Sequence, residues 1–295
     1  MASLNIGKTE AANYIPEVWA LGATDAVEFR RVIAKRVNRE FEGAISEMGD
    51  TVNVPSMSNF TAVDKTTNTD LDAEAFVHPV QQLVINKHKA VAVKLEKFAL
   101  RQAMPGYKDR VTKRLGYPLA RVQETDLSGL FDGFTNTVGT LGVELTDADY
   151  LSAWQKLVEA GAIEEAQIDE DTSIFLSAGA YAAALKLERF TSKDYGSEDA
   201  VSKAALGAIF GTRAILSLLL ETGASGQHDC AWMHKNALTL AVQQAVQLND
   251  DYRPLAIATE MVTDIIYGVL ELTRPGESNA NITMSDNFGV WLQTV

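Results

Sequence analysis

The sequence predicts an α+β fold, in which helical and extended segments occupy separate stretches of the chain. Apolar residues recur every three or four positions in residues 24–42 and again from Tyr107 onward, which is the period of an amphipathic helix. Residues 80–95 instead alternate apolar and polar side chains, which indicates a strand. Because 46% of the 295 residues are hydrophobic, the chain can bury one large domain or two interleaved ones.

The composition argues against several classes of protein. No apolar run is long enough to span a membrane, and residues 1–19 lack the pattern of a signal peptide. The one cysteine, Cys230, cannot form a disulfide within the chain and indicates a reducing compartment. A net charge of −13 disfavours a dedicated nucleic-acid-binding protein and favours solubility.

The N-terminal region predicts an arm followed by a helix. Residues 1–23 show little periodicity, so we expect them to be extended. A helix is predicted from Thr24, a suitable N-cap, to Glu42, with Gly43 ending it. A turn at Gly49 then leads into a short alternating strand, residues 51–55.

A long polar stretch, residues 56–79, separates this strand from the second one at 80–95. Loops of this length within a compact domain are uncommon and are usually functional or disordered. We expect its tip to be buried against a neighbouring chain, because it has little apolar content to bury in its own core. The predicted inter-subunit tip residues are Phe60, Asp64, Lys65 and Asp70.

The segment after Pro105-Gly106 predicts a long amphipathic helix. Its apolar positions run from Tyr107 toward Phe134 at steps of three or four, giving about 28 residues and on the order of 40 Å. Pro118 should remove one backbone hydrogen bond and kink the helix. Two helices that meet at residues 116–118 are the alternative.

The second half of the chain predicts shorter helices and strands. Thr146 and Asp149 have the spacing of a capping box, with Asp in place of Glu, and open a helix that stops at Gly161. Residues 135–145 are Gly- and Thr-rich and are predicted to be irregular. The remaining predictions are a strand at 173–177, a helix at 178–189, a loop at 190–200, a turn and strand within 207–220, a loop at 221–229, a strand at 230–234, a helix at 236–248, and one long or two shorter strands within 255–273.

The order of these segments resembles that of the major capsid (coat) proteins of tailed bacteriophages. The resemblance covers nearly the whole chain and departs from the family at 56–79 and 135–145. Each motif alone is weak, and the specificity lies in their order and spacing. The motifs that carry it are Ile15-Pro-Glu-Val-Trp19, Gly49-Asp-Thr-Val-Asn-Val-Pro55, Gly207-Ala-Ile-Phe-Gly211 with Ile215 and Ser217, and Cys230-Ala-Trp-Met-His234-Lys-Asn-Ala-Leu238.

The resemblance implies the tailed-phage coat-protein fold, in which an extended β-hairpin loop reaches over a neighbouring subunit. The parts it implies are an N-terminal arm and helix (1–48), the extended loop (49–95), a peripheral domain with a long spine helix (96–142 and 251–295), and an axial α/β domain (143–250).

The same resemblance implies a function in assembly. Hexamers and pentamers of the chain would form an icosahedral phage head around double-stranded DNA. The implied partners are other copies of the chain, scaffolding and portal proteins, a decoration protein and, weakly, the packaged DNA. The implied location is the virion capsid, with no membrane association.

We predict no enzymatic activity, cofactor or metal site. The four histidines, His78, His88, His228 and His234, lack the spacing of metal ligands. Ser217 and Ser225 lack the frame of a nucleophile elbow, and Gly207-x-x-x-Gly211 is not followed by the Lys-Ser/Thr of a phosphate-binding loop. The acidic run at 164–171 lacks the spacing of a calcium-binding loop.

Basic residues are concentrated in one segment, 94–121, which contains eight of them and two acids. In the family the spine helix lines the inner surface of the shell, so this cluster is a candidate contact for scaffold or packaged DNA. A solvated helix face that pairs with the acidic remainder of the chain is the alternative, and we weigh it slightly ahead. The predicted inner-surface cluster is Lys108, Arg110, Lys113, Arg114 and Arg121.

A second function is consistent with the same fold. The chain would then form the shell of a cellular nanocompartment that encloses cargo enzymes. The sequence separates the two functions poorly, whereas imaging of the particles separates them directly.

Overall fold

The computed structural model contains both helices and strands. It describes residues 31–45, 49–55, 62–71, 79–103, 105–160, 162, 171–187, 206, 208–222, 228–275, 284–285 and 288–294.

The helices are α1 (Glu42–Ile45), α2 (Lys97–Gln102), α3 (Tyr107–Ser128), α4 (Asp147–Glu159) and α5 (Ala178–Ala184). The strands are β1 (Thr51–Pro55), β2 (Val80–Val84), β3 (Lys87–Glu96), β4 (Thr137–Gly139), β5 (Thr172–Leu176), β6 (Ala208–Ile209), β7 (Thr212–Leu216), β8 (Cys230–His234), β9 (Leu238–Arg253), β10 (Ala258–Glu271), β11 (Arg274–Pro275), β12 (Met284–Ser285) and β13 (Gly289–Gln293). None of the helices in the described ranges is long and apolar enough to cross a membrane.

The main core is built on a six-stranded sheet with the order β4-β13-β8-β5-β7-β6. Every residue of β5 is buried between its parallel neighbour β7 and its antiparallel neighbour β8. Trp232 on β8 is fully buried and stacks on Phe210, with ring centroids 6.4 Å apart. Strand β4 lies within the stretch predicted to be irregular, because parallel pairing with the last strand, β13, orders it.

A second, three-stranded antiparallel sheet has the order β3-β10-β9. The prediction of a helix at 236–248 is wrong, because Leu238–Arg253 form the 16-residue strand β9. Its Ala, Leu and Gln residues favour helices, but pairing with β10 along nearly its whole length overrides that propensity. Of the two alternatives for 255–273, one long strand is the one observed.

The strand predicted at 80–95 is divided between two sheets. Its first part, β2, pairs antiparallel with β1, from Thr51 opposite Val84 to Pro55 opposite Val80, and so closes the base of the long loop. Its second part, β3, pairs with β10 instead. A Cβ at Gly268 would lie 2.5 Å from the carbonyl oxygen of Val84, so the close approach of β10 to the loop base requires glycine there.

The long helix is a single element, so the alternative of two helices is wrong. Helix α3 has 22 residues, about 33 Å at 1.5 Å per residue, and contains Pro118. It ends at Ser128, short of the predicted end, because Gly129 and the 3₁₀ turn Phe131–Gly133 follow it. Phe131 and Phe134 thus lie beyond the helix, where both are buried in the core of the six-stranded sheet.

The predicted helix at 24–42 is wrong in its described part, residues 31–41, which form turns. The backbone N–H groups of Ile33 and Ala34 donate to the carboxylate of Glu124 instead of to helical carbonyls. The apolar spacing reflects burial, since Ile33, Ala34 and Val37 all lie in the core. The rest of that prediction and the arm at 1–23 lie outside the described residues.

The sheets draw strands from distant parts of the sequence. The six-stranded sheet places β4 and β13, which are far apart in sequence, side by side, and the three-stranded sheet joins β3 to β9 and β10. The division into arm, extended loop, peripheral domain and axial domain stays a prediction.

The capping box at the start of α4 is confirmed. The Thr146 hydroxyl accepts from the Asp149 N–H at 3.4 Å, and the Asp149 carboxylate accepts from the Thr146 N–H at 2.8 Å. Helix α4 then ends at Glu159. Helix α5 is capped by Ser177 and ends at Ala184, earlier than predicted.

Replacing Thr146 by alanine is expected to lower the free energy of unfolding by about 1 kcal/mol, because it removes this cap. Urea unfolding of unassembled subunits measures the difference. Ser152, exposed on the same helix, supplies the control, and its replacement by alanine should change the free energy by less than about 0.5 kcal/mol. Equal effects of the two substitutions would show that the cap contributes nothing.

Candidate assembly surfaces

The tip of the long loop, residues 62–71, is exposed throughout and contains three of the predicted tip residues, Asp64, Lys65 and Asp70. The Lys65 ammonium donates to the backbone carbonyls of Thr66, at 2.7 Å, and Thr69. The side-chain oxygens of these two threonines lie 2.8 Å apart. The segment is therefore a turn held by its own hydrogen bonds, and we call it the loop tip. Phe60 lies outside the described residues.

The loop tip buries no side chain in the core of its own subunit. Its two large apolar side chains, Val63 and Leu71, are 62% and 54% exposed. Apolar side chains that stay exposed on a preformed turn are available to a partner surface. The expectation that this segment serves a neighbouring chain stays a prediction.

A second exposed apolar surface lies at the far end of the three-stranded sheet. It consists of Phe98, Tyr252, Leu255 and Ile257, of which Leu255 is fully exposed. The Lys97 N–H donates to the Ile257 carbonyl at 3.0 Å, so the start of α2 lies against the turn between β9 and β10. Sequence reasoning missed this surface because it placed Leu255 and Ile257 in the strand predicted within 255–273, whereas both lie in the turn before β10. The available signal was Leu255 and Ile257, two apolar residues beside Pro254.

The predicted basic cluster lies on α3. Arg110, Arg114 and Arg121 are exposed, and their spacing of four and seven residues places them on one face of the helix. Lys108 and Lys113 belong to the same helix, but their side chains are outside the described part. The role of the cluster stays a prediction.

The C-terminal part of α3 is bonded to three other segments. Glu124 is fully buried, and its carboxylate accepts from the N–H groups of Ile33 and Ala34 at 2.9 and 3.0 Å. Asp126, two residues further along, accepts from the Tyr267 hydroxyl at 2.5 Å and pairs with the Lys87 ammonium at 3.1 Å. Burial and this hydrogen bond raise the pKa of Tyr267. The exposed basic face thus belongs to a helix whose C-terminal end is anchored by hydrogen bonds and an ion pair.

The side chains of His88, His234 and Ser217 make hydrogen bonds or ion pairs within the subunit. His88 pairs with Asp264 at 3.0 Å on the surface, and the His234 ring accepts from the Asn236 N–H at 3.1 Å. The Ser217 hydroxyl accepts from the Leu219 N–H at 3.3 Å. Across the described ranges no three His, Cys, Asp or Glu side chains are grouped to hold a metal ion. His78, Ser225, Gly207 and residues 164–170 lie outside those ranges.

Cys230 is a core residue, as predicted. It is fully buried, its sulfur accepts from the Ser177 N–H at 3.2 Å, and burial raises the pKa of its thiol to about 11. A thiol with so high a pKa is a poor nucleophile at neutral pH.

Asp229 is a buried carboxyl group near two others. Burial is the main cause that raises its pKa, to about 6, and the negative charges of Asp132 and Glu221 contribute less. The side chain of Trp291 donates a hydrogen bond that opposes this rise. Because the folded pKa lies above the unfolded value, the folded state binds the proton more tightly, and stability falls as the pH rises from about 4 to about 6.

Replacing Asp229 by asparagine is therefore expected to stabilise the subunit at pH 7.5 by on the order of 1 kcal/mol, with the gain disappearing below about pH 4. Melting temperatures of both proteins across this pH range measure the effect. Asp251, which is exposed, supplies the matched control. A gain that is the same at pH 4 and pH 7.5 would contradict the assigned cause.

Comparison with solved structures places the fold among those of phage capsids. A chain from mycobacterium phage Che8 shares 18% identity, covers 95% of this chain and 97% of its own length, and superposes with a TM-score of 0.74. A chain from the capsid of cyanophage P-SCSP1u shares 12% over 96% and 94%, with a TM-score of 0.70. A chain from the capsid of a native GTA particle shares 12% over 99% and 100%, with a TM-score of 0.68.

No family model matches the sequence, and no curated protein matches it significantly. The likeness is therefore one of structure, and it extends over nearly the full length of both chains. The chain has the tailed-phage coat-protein fold, and the α+β class and resemblance predicted from the sequence are confirmed at the level of fold.

Proposed function

We propose that this chain is a major capsid protein that assembles with copies of itself into a closed shell. The observation that carries the proposal is the full-length structural likeness to chains from the capsids of a cyanophage and a GTA particle. The exposed loop tip supports it, because a shell supplies the neighbouring surface that the tip lacks within its own subunit. A structural role requires no catalytic residues.

In the finer form of the proposal, the chain forms hexamers and pentamers of an icosahedral phage head around double-stranded DNA. It is made in the host cytoplasm and resides in the virion. Scaffolding and portal proteins act in assembly, and a decoration protein binds the finished shell. The long loop covers the adjacent subunit, and the axial domain surrounds the capsomer axis.

Electron microscopy of the purified full chain, alone and with its scaffold supplied, tests the proposal. Closed shells are expected, and larger DNA-containing particles with a portal are expected from infected cells. A monomer that persists at every concentration with scaffold present would refute the proposal. Small shells that hold protein cargo and no DNA would favour the nanocompartment instead.

The basic face of α3 gives a separate expected result. Reversing two charges in Lys113→Glu/Arg114→Glu should reduce the DNA content of assembled particles several-fold, with a salt dependence, because phosphate contacts are lost. Lys156→Glu/Lys186→Glu serves as the control, because it changes the net charge by the same amount at α4 and just after α5. DNA content equal to that of the wild-type particles would exclude a role of the face in packaging.

A further inference from the structure

A cleft of about 500 Å³ lies between the segment 31–36 and the six-stranded sheet. Residues at the starts of β5 and β7 and just after β8 form its sheet side. Five cationic side chains line it, with one acid, Asp171. The cationic residues are Arg31, Lys35, Arg36, Arg213 and Lys235. We call this the basic cleft.

In the described part of the subunit the basic cleft has a large excess of positive charge, with five cations against the single acid Asp171. Among the residues that the structure describes, no carboxylate lies within ion-pair distance of any of the five cations. The Arg36 guanidinium donates to the hydroxyl of Ser173, which is buried, at 3.0 Å. This bond fixes one cation at the wall of the cleft. The five cations lie together although the net charge of the whole chain is −13. Like charges gathered in this way favour an anionic ligand.

The loop tip has the complementary charge. Asp64 and Asp70 are exposed on either side of the turn, and the sequence continues into Asp72 and Glu74. The one cation of the segment, Lys65, is engaged by the carbonyls of the turn itself. The loop tip, residues 62–71, therefore carries a net charge of −1, and the next three residues of the sequence add two acids, so that 62–74 carry −3.

The two surfaces also match in their apolar parts. Val32 and Ile215 contribute to the wall of the basic cleft, between its cations. Val63 and Leu71 flank the acids of the loop tip and are more than half exposed. A nucleic-acid backbone could use the cations but has no apolar group for Val32 and Ile215. The combination favours a peptide with acidic and apolar side chains.

We propose that the basic cleft of one subunit receives the loop tip of a second copy of the chain. The Asp64 and Asp70 carboxylates then pair with the arginines of the cleft, whose planar guanidinium groups bind carboxylates through two hydrogen bonds. This inference rests on the proposed function, since it needs copies held side by side in a shell. It assigns to the loop tip a defined docking site on its neighbour.

Disulfide trapping tests the contact directly and leaves all the charges in place. The variant carries Thr67→Cys in the loop tip and Val32→Cys in the cleft of the same chain, while the native Cys230 is fully buried. Oxidised shells of this variant are expected to give a ladder of covalently linked chains on a non-reducing gel. Each single-cysteine variant can give at most a dimer.

Shells that form and yield no ladder would overturn the docking site and leave the proposed function standing. Failure of the wild-type chain to form any shell would instead overturn the proposed function. These two failures are therefore distinguishable in one preparation.

A binding measurement on unassembled full-length subunits decides the case even if the double-cysteine variant does not assemble. A synthetic peptide of residues 60–74 is expected to bind at least about tenfold more weakly to Arg213→Glu/Lys235→Glu than to the wild type, a loss equivalent to about 1.4 kcal/mol. The peptide with Asp64→Asn and Asp70→Asn should show a similar loss. If these cleft substitutions weaken a duplex oligonucleotide but leave the peptide unaffected, the cleft is a phosphate site and the proposal is wrong.

Discussion

Deleting residues 57–78 is expected to leave a folded subunit that forms no shells. The described part of this segment, 62–71, is exposed at every residue and adds nothing to the core. The deletion retains β1 and β2, whose five antiparallel pairs from Thr51–Val84 to Pro55–Val80 can be joined by a short turn. The subunit therefore loses a contact surface and keeps its packing.

Circular dichroism and thermal unfolding report whether the deleted subunit folds, and electron microscopy reports the shells. A matched variant replaces 57–78 with a Gly/Ser segment of the same length. It keeps the length of the loop and removes its side-chain contacts, so it distinguishes the effect of lost contacts from the effect of a shortened loop. Both variants should fail to assemble. Normal shells from either one would refute the assembly role given to the long loop.

Replacing Glu124 by alanine is expected to lower the free energy of unfolding by about 3 kcal/mol. The carboxylate is fully buried and accepts the backbone N–H groups of both Ile33 and Ala34. Alanine would leave those two donors without an acceptor in the protein interior, and each buried donor left unsatisfied costs about 1–3 kcal/mol. The segment 31–38 should detach from α3, so its amide hydrogens should also exchange faster.

Urea unfolding of unassembled subunits gives the free energy, and hydrogen exchange localises the change. Glu144 is the matched control, because its side chain is 55% exposed and pairs with Lys186 at the surface. Glu144→Ala should change the free energy by less than about 0.5 kcal/mol. A similarly small effect of Glu124→Ala would show that the two backbone bonds are replaced by water.

Local signals in the sequence predicted the elements that depend on local physics. The capping box of Thr146 and Asp149 was read correctly, because its hydrogen bonds join residues three apart. The buried strand β5 was predicted from its short apolar run, and β7 was predicted as the strand that follows the turn at residues 207–211. The length and polarity of the loop predicted a contact segment, and the described loop tip is exposed.

Elements that depend on distant partners were predicted wrongly or missed. Strand β9 looks helical by composition and becomes a strand because β10 offers a ladder of backbone hydrogen bonds. Residues 31–41 have helical apolar spacing, yet Glu124, about 90 positions away, takes the N–H groups of Ile33 and Ala34. The basic cluster on α3 was visible as a run of charge, whereas the basic cleft was not.

The sequence by itself determined the α+β class, the order of most elements and the long polar loop. Those features follow from periodicity, capping and composition, which act over a few residues. Only the tertiary structure decided which strands share a sheet and that cations from residues 31–36, 213 and 235 line one cleft. The reason is that sheet pairing and charge clustering depend on contacts between residues far apart in the chain, and no local pattern records them.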